Sequence, residues 1–391
     1  MGPGDNQYVV RDGLPAIATA MVIGTAALMV LGVQPILLAA LVAEQKISNA
    51  ELGRLATAEV LAIAVGAAMG VTLFRAGGMR AKAAITAAIL GVINVASCYA
   101  AGGAALFLLR GFAGVVEGVL LGSAIVILTR TRSPDRVNGV FLAVQTIPQA
   151  LAALILPIYL VPRWGSGAGF TILAGLCFLG VVLAPLLPRQ GAPASTAAHT
   201  RLAWTPEMVC ILLAITLQTA GIGAALEYLA QLAAHNGFSQ RDVGLATSGN
   251  LVLQVVGAFI VVGIAWRIPS ALALLVGVSL QAAMALSFPL MPTGGAYVAL
   301  ACFFGLFMLA LGPFKVAWLV RIDPTRRIAL FILPTVLIGW SFGSFVASFW
   351  VTPESSDAAY WTSAGFFLSA GVLYLTVLAL GARARKAAAA L

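Results

Sequence analysis

Charge is what this sequence is short of. Asp, Glu, Lys and Arg together make up 9% of its 391 residues, while 61% are hydrophobic. A soluble domain carries roughly 25% charged residues. So little polarity cannot cover a water-facing surface, and lipid is the expected main solvent. Histidine is equally scarce: His199 and His235 are the only two, both in loops and far apart. With no histidine in any apolar run, and no nucleophile and base placed together, an intramembrane enzyme is not expected. The four cysteines, Cys98, Cys177, Cys210 and Cys302, each stand alone in an apolar run. They lack the paired spacing of a disulfide framework or a metal site and read as small buried hydrophobes. There is no P-loop, and the longest polar stretch, 189–204, is only a linker, so ATP is not the expected driving force. No cofactor and no metal are expected. No cleavable leader is expected either, because Asp5, Arg11 and Asp12 run directly into a full-length apolar segment.

Long apolar runs are what the sequence has in abundance. They cover 14–43, 51–73, 83–101, 104–129, 137–160, 167–187, 206–233, 242–265, 270–290, 295–319, 328–351 and 358–381. At roughly 20 residues per crossing, these predict an all-α polytopic membrane protein of twelve transmembrane helices. The run 14–43 exceeds one membrane thickness and should tilt or protrude.

The formal charge of +9 suggests nucleic acid until the loops are taken alternately. One set, with both termini, holds Arg11, Arg75, Arg80, Lys82, Arg130, Arg132, Arg136, Arg189, Arg201, Arg267, Arg321, Arg326, Arg327, Arg383, Arg385 and Lys386. The other set holds only Lys46, Arg54, Arg163 and Arg241. The positive-inside rule then places both termini in the cytoplasm of an inner-membrane protein. The basic excess is a topology signal, and no nucleic-acid partner is expected.

The chain also repeats itself. A shift of 191 residues lays Ile47-Ser48-Asn49-Ala50-Glu51-Leu52-Gly53 on Phe238-Ser239-Gln240-Arg241-Asp242-Val243-Gly244, and Val65-Gly66-Ala67 on Val256-Gly257-Ala258. Near offset 190, Ser133-Pro134-Asp135-Arg136 falls on Asp323-Pro324-Thr325-Arg326. Two parallel six-helix halves follow, 1–187 and 205–391, joined by a cytoplasmic linker at 188–204.

Six plus six helices with parallel halves resembles the major facilitator superfamily over essentially the whole chain. In that family the loop after helix 2 reads G-x-x-x-D-R-x-G-R/K-R/K. Here it reads Gly70-Val71-Thr72-Leu73-Phe74-Arg75-Ala76-Gly77-Gly78-Met79-Arg80, with Phe74 in place of the aspartate that helps hold the cytoplasmic gate shut. The corresponding loop of the second half has Trp266-Arg267. Helix 4 carries the family's R-x-x-x-G as Arg110-Gly111-Phe112-Ala113-Gly114. Only Pro148 survives of the glycine-rich helix-5 stretch of the drug antiporters. The resemblance implies alternating access, gating at Gly70, Arg75, Gly77 and Arg136, and a central cavity lined by helices 4 and 7.

Five ionisable residues lie inside spans: Glu59, Arg110, Glu117, Glu227 and Lys315. Each charge at the bilayer centre costs roughly 2.5–3.5 kcal/mol on insertion scales, so such residues face a wet cavity or hold partners. Arg110 and Glu117 are seven apart and share one helix face. Gly114, Gly118 and Gly122 form a small-residue row suited to close helix packing. The bland reading of Arg110 and Glu117 is a structural ion pair; the functional one is a cavity-facing cation with a titratable acid. Thr216, Ala220, Gly223, Glu227 and Gln231 make a polar-or-small stripe. The half-repeat sets Asn250 opposite Glu59. Glu117, then Glu227 and Glu59, are the proton-coupling candidates. Arg110, Gln34, Gln145, Gln149, Gln231, Phe303 and Phe307 are the candidates for lining a substrate site. Lys315 reads as snorkelling to the headgroups, with Phe303, Phe307, Phe314 and Trp318 as an aromatic stripe beside it.

The expectation is a monomeric, proton-coupled secondary transporter of a small amphipathic organic solute, an organic anion in particular. The alternatives are a drug or metabolite antiporter and a non-transporting receptor.

Overall fold

The computed structural model of the protein describes residues 13–75, 77–131, 134–189, 204–264, 267–323 and 328–389. The predicted linker 188–204 lies almost wholly outside them. Every regular element among the described residues is helical. The long helices are α1 (Leu14–Ala43), α2 (Asn49–Arg75), α3 (Met79–Tyr99), α4 (Gly103–Leu128), α5 (Pro134–Ile155), α6 (Gly167–Leu183), α7 (Pro206–Glu227), α8 (Gln240–Ile264), α9 (Ser270–Ser287), α10 (Gly294–Ile322), α11 (Ile332–Ala347) and α12 (Asp357–Ala389). Eleven of these are long and apolar enough to cross a membrane, and α11 is the shorter twelfth.

Local chemistry explains where the helices start. At α2, the Ser48 backbone N–H and hydroxyl both donate to Glu51 Oε2, at 2.8 and 3.0 Å, and the Glu51 N–H donates back to Ser48 Oγ. At α8, Ser239 and Asp242 build the same reciprocal box. Each satisfies helix-end donors that would otherwise lack partners, so the sequence repeat at these loops is a repeated cap. Thr205 caps α7 by accepting the Met208 N–H, with Pro206 at the first helical position and Glu207 in the first turn. Lys82 Nζ donates to the Leu73 carbonyl near the end of α2, and Arg80 Nε donates to the Leu187 carbonyl.

Three predicted spans differ in outline. The run 206–233 is not one helix: α7 stops at Glu227, and a short helix, Leu229–His235, follows after Tyr228. Within α10 the regular ladder lapses at Leu311, just before Pro313, which has no N–H to donate. The run 328–351 yields a tight turn, Ile328–Phe331, and then α11, which ends at Ala347.

The chain forms two compact units: residues 1–46 with 61–197, and residues 47–60 with 198–391. The first has its core around Ile23, Leu90, Leu120, Ile127, Phe141 and Cys177. The second has its core around Ile211, Leu274, Leu311, Phe314, Trp318 and Tyr374. The α2 helix therefore contributes its beginning to the second unit and its remainder to the first.

In the first unit the turn after α1 is tied to the turn before α6. Glu44 accepts the Ser166 backbone N–H and, at 2.7 Å, the Ser166 hydroxyl, and pairs with Lys46 at 3.0 Å. Gly165 has φ +61°, and a Cβ there would strike Glu44 Oε1, so only glycine fits. Burial pushes the Glu44 carboxyl up, but the bonds from Ser166 and Lys46, with the Lys46 charge, outweigh it and hold the group below the ordinary range. A lowered folded-state pKa gives stability that is present above the unfolded value of about 4.3 and is lost as pH falls through the lower folded value. Melting measured from about pH 6 down to pH 3 should therefore fall more steeply in the wild type than in Glu44→Gln. Parallel curves would remove Glu44 from the acid response.

Candidate functional site

The first unit buries an ion pair. Arg110 and Glu117, on one face of α4 as their spacing predicts, are each 2% exposed and meet at 3.3 Å. Arg110 Nη1 also donates to Asn94 Oδ1 of α3 at 2.8 Å, and its guanidinium lies 5.2 Å from the Phe170 ring centre of α6. The described contacts of Arg110 thus run to α3, α4 and α6. Its charge is compensated, and its planar group is held on three sides. The second unit buries a neutral polar cluster, in which Gln218 of α7 donates to Gln281 of α9 and accepts from the Tyr374 hydroxyl of α12, both at 2.9 Å.

The other amide candidates of the first unit lie on α1 and α5. Gln34 is buried in α1 immediately before Pro35. Gln149 is buried in α5 and donates to the Leu28 carbonyl of α1 at 2.7 Å, where Gly32 leaves room for its side chain. Gln145 is half-buried one turn earlier. Gly70 packs on the Val119 carbonyl and the Gly122 Cα. Gly77, with φ +81°, and Gly78, with φ +67°, make the turn into α3. The side chains of Arg75 and Arg136 lie outside what the structure describes.

The second unit gathers the remaining carboxylates. Glu227, at the last turn of α7, is 0% exposed. Its Oε1 accepts the indole N–H of Trp340, on α11, at 2.7 Å, and its Oε2 has no hydrogen-bond partner among the described residues. Glu59, near the start of α2 and also buried, lies within electrostatic reach of Glu227. Beside them, the Thr57 hydroxyl donates to the Ser341 carbonyl at 2.9 Å, and Gly53 lets α2 close onto Tyr228, Ser344 and Ser348. The sequence stripe joins Glu227 to Gln231, which the structure places beyond the end of that helix, and it misses Trp340. A signal for it existed: the 191-residue shift lays Trp340 on Gln149. The pair takes the same role in its two halves, each donating to the half's first helix beside a glycine, Gly32 or Gly223.

Gln231 lies beyond the break in α7, where its amide meets His235 Nε2 at 3.3 Å. The aromatic stripe on α10 divides. Phe314 and Trp318 belong to the core, Phe303 is 61% exposed, and Phe307 lines an apolar groove with Gly257, Ile260 and Leu272. Lys315 corrects the snorkelling expectation. It is 6% exposed, on the side of α10 that also carries the buried Leu311 and Leu319, and has no acidic partner among the described residues. No group of His, Cys, Asp and Glu capable of holding a metal occurs among the described residues.

No protein-family model and no curated protein matches the sequence. Solved structures do share its fold. A mutant of the nucleoside transporter NupG is 13% identical, with a TM-score of 0.76, over 93% of this chain and 99% of that one. A bacterial homologue of the human lysosomal transporter Spinster, inward-facing and occupied, is 14% identical, with a TM-score of 0.66, over 93% and 95%. A bacterial homologue of the human drug peptide transporters is 13% identical, with a TM-score of 0.70, over 95% and 99%. At such identities the likeness is one of fold alone, a many-helix fold that these three transporter structures have in common with this chain.

Proposed function

We propose that this protein is a proton-coupled secondary transporter that moves a small amphipathic organic solute across the inner membrane by alternating access, with Glu227 and Glu59 carrying the coupled proton. The observation that supports this best is the pair itself: two buried carboxylates within reach of each other, one held by the Trp340 indole. Two negative charges in so apolar a setting repel, and one proton relieves the repulsion. Arg110 and Glu117, already matched to each other and to Asn94, are read as framework with a secondary claim to the coupling role. Lys315, buried without an acidic partner among the described residues, supports an anionic solute. The proteins that share the fold include a nucleoside transporter and a bacterial homologue of human drug peptide transporters, which is compatible with an organic solute here. The loop charges support cytoplasmic termini.

The test is uptake into proteoliposomes of a radiolabelled panel comprising benzoate, a nucleoside and a dipeptide, with and without an inward proton gradient. The wild type should concentrate one of them only when the gradient is imposed. Glu227→Gln keeps the shape of the protonated acid and should exchange solute but not concentrate it. Gradient-independent uptake of the whole panel by the wild type defeats proton coupling. Concentration by Glu227→Gln at the wild-type level moves the coupling site elsewhere.

A further inference from the structure

One end of the second unit holds a cavity of about 290 Å³ that the transport reading does not use. It lies where α7 and α9 begin and where α10 and α12 end, the end that the loop charges assign to the cytoplasmic leaflet. Glu207, from the first turn of α7, and Arg321, from the last turn of α10, both line it. Ser270, the first residue of α9, adds a hydroxyl, and Val377 and Leu378 of α12 add an apolar wall. Trp318 also lines it, one turn before Arg321 on the same face of α10. That indole is 5% exposed and stacks on Tyr374, with ring centres 5.6 Å apart.

The charges of this cavity are unmatched. Glu207 and Arg321 border the same space, yet neither makes a hydrogen bond or an ion pair, with the other or with any group, among the described residues. The Trp318 indole N–H and the Ser270 hydroxyl also lack a partner among them. By contrast, Glu44 meets Lys46 and Arg110 meets Glu117 directly. A cation and an anion that line one cavity without meeting suit a ligand that carries both signs. A ligand of one sign would be drawn to one of them and repelled by the other.

Position narrows the ligand further. A cavity at this depth is reached by lipid headgroups, and the wall of Val377 and Leu378 takes hydrocarbon. A phosphate ester of ethanolamine meets every group on the list. Its phosphate suits the planar fork of Arg321 and accepts from the Trp318 indole. Its primary ammonium has N–H groups to give to the Glu207 carboxylate. Its glycerol and acyl root continue along Val377 and Leu378. A choline headgroup has no N–H to give, and a glycerol headgroup has no cation for Glu207.

We propose that this cavity binds phosphatidylethanolamine from the cytoplasmic leaflet, with Arg321 on the phosphate and Glu207 on the ammonium. The site goes beyond the transport reading and requires no particular solute.

Native mass spectrometry of the full chain tests it, in detergent micelles that hold equimolar dioleoyl phosphatidylethanolamine, phosphatidylcholine and phosphatidylglycerol. The wild type should retain the ethanolamine lipid over each of the others by about tenfold, the scale of one charge-assisted hydrogen bond. Glu207→Gln removes the charge that repels phosphatidylglycerol, so that lipid should rise to the level of the ethanolamine lipid. Misfolding cannot imitate this exchange of preference, because it lowers all three together. Arg321→Ala should retain none of them. Lys82→Ala, which removes a cation of α3 outside the cavity, should behave as the wild type. Free O-phosphoethanolamine in excess should leave the lipid in place; if it displaces the lipid, the ligand is a soluble zwitterion and the lipid assignment is overturned. A wild type without preference, an unchanged preference in Glu207→Gln, retention by Arg321→Ala, or a loss in Lys82→Ala also overturns it. Because the readout needs no transported solute, failure of the uptake experiment leaves this result standing, and the reverse holds as well.

Discussion

Gly118→Val should leave almost no folded protein. A Cβ at Gly118 would meet the Ile63 carbonyl, the Ala67 amide nitrogen and the Gly66 backbone of α2. One turn on, Gly122 faces Gly70 in the same way, and Gly66 in turn presses on the Val115 carbonyl. Backbone lies against backbone along this seam, so no flexible side chain can give way. Overpacking of a well-packed interior costs about 1–3 kcal/mol even where side chains can shift, and the upper end or more is expected here. Total stability of about 5–15 kcal/mol leaves little margin. Gly111, on the same helix, has nothing within 4 Å of an added Cβ, so Gly111→Ala should match the wild type or exceed it slightly. Yield of monodisperse protein and its melting temperature in detergent compare the two. Equal behaviour of both variants would mean that the α2–α4 seam is not a backbone contact.

Arg110→Ala should destabilise the protein by about 3–5 kcal/mol, the range for leaving a buried charge without its partner. The cation it removes serves Glu117, Asn94 and the Phe170 ring at once. Arg110→Lys should recover only part of the loss, because a point charge cannot reproduce the fork. The double variant Arg110→Ala/Glu117→Gln should melt well above Arg110→Ala alone, since the stranded anion is gone; this coupling identifies a framework pair. If instead Arg110→Ala melts like the wild type and fails only in uptake, Arg110 belongs to the solute.

The internal repeat is legible in the sequence because matching residues do matching work. Ser48 with Glu51 and Ser239 with Asp242 are the same cap. Gly66 on the Val115 carbonyl and Gly257 on the Leu306 carbonyl are the same crossing, 191 residues apart on both sides of each contact. The row Gly114, Gly118 and Gly122 is readable because only close helix approach needs it. The partners of the charges are less readable. Spacing pairs Arg110 with Glu117, but Asn94 and Phe170 come from other helices, and nothing local marks them. Lys315 misleads because α10 is apolar on every side, so hydropathy cannot separate its lipid face from its interior face. The break after Glu227 carries no proline or glycine at the site. The membership of residues 47–60 in the second unit depends on contacts roughly three hundred positions away, such as Asn49 to Thr352, which no windowed pattern senses.

That distant membership has a consequence for how the chain is made. Residues 47–60 leave the ribosome long before their partners: 284 residues separate Thr57 from Ser341, and 303 separate Asn49 from Thr352. At about 5–20 residues per second, the beginning of α2 waits roughly 15–60 s for the surface it will occupy. During that interval Asn49 and Thr57 have none of those partners, while the remainder of α2 already has its glycine seam on α4, completed by residue 122. The early seam therefore has to hold α2 in the bilayer through the delay. The second unit cannot close until a segment made at the start of synthesis is delivered to it. A nascent chain arrested before residue 341 should carry an α2 that is inserted and packed at one end and still open to the quality-control machinery at the other.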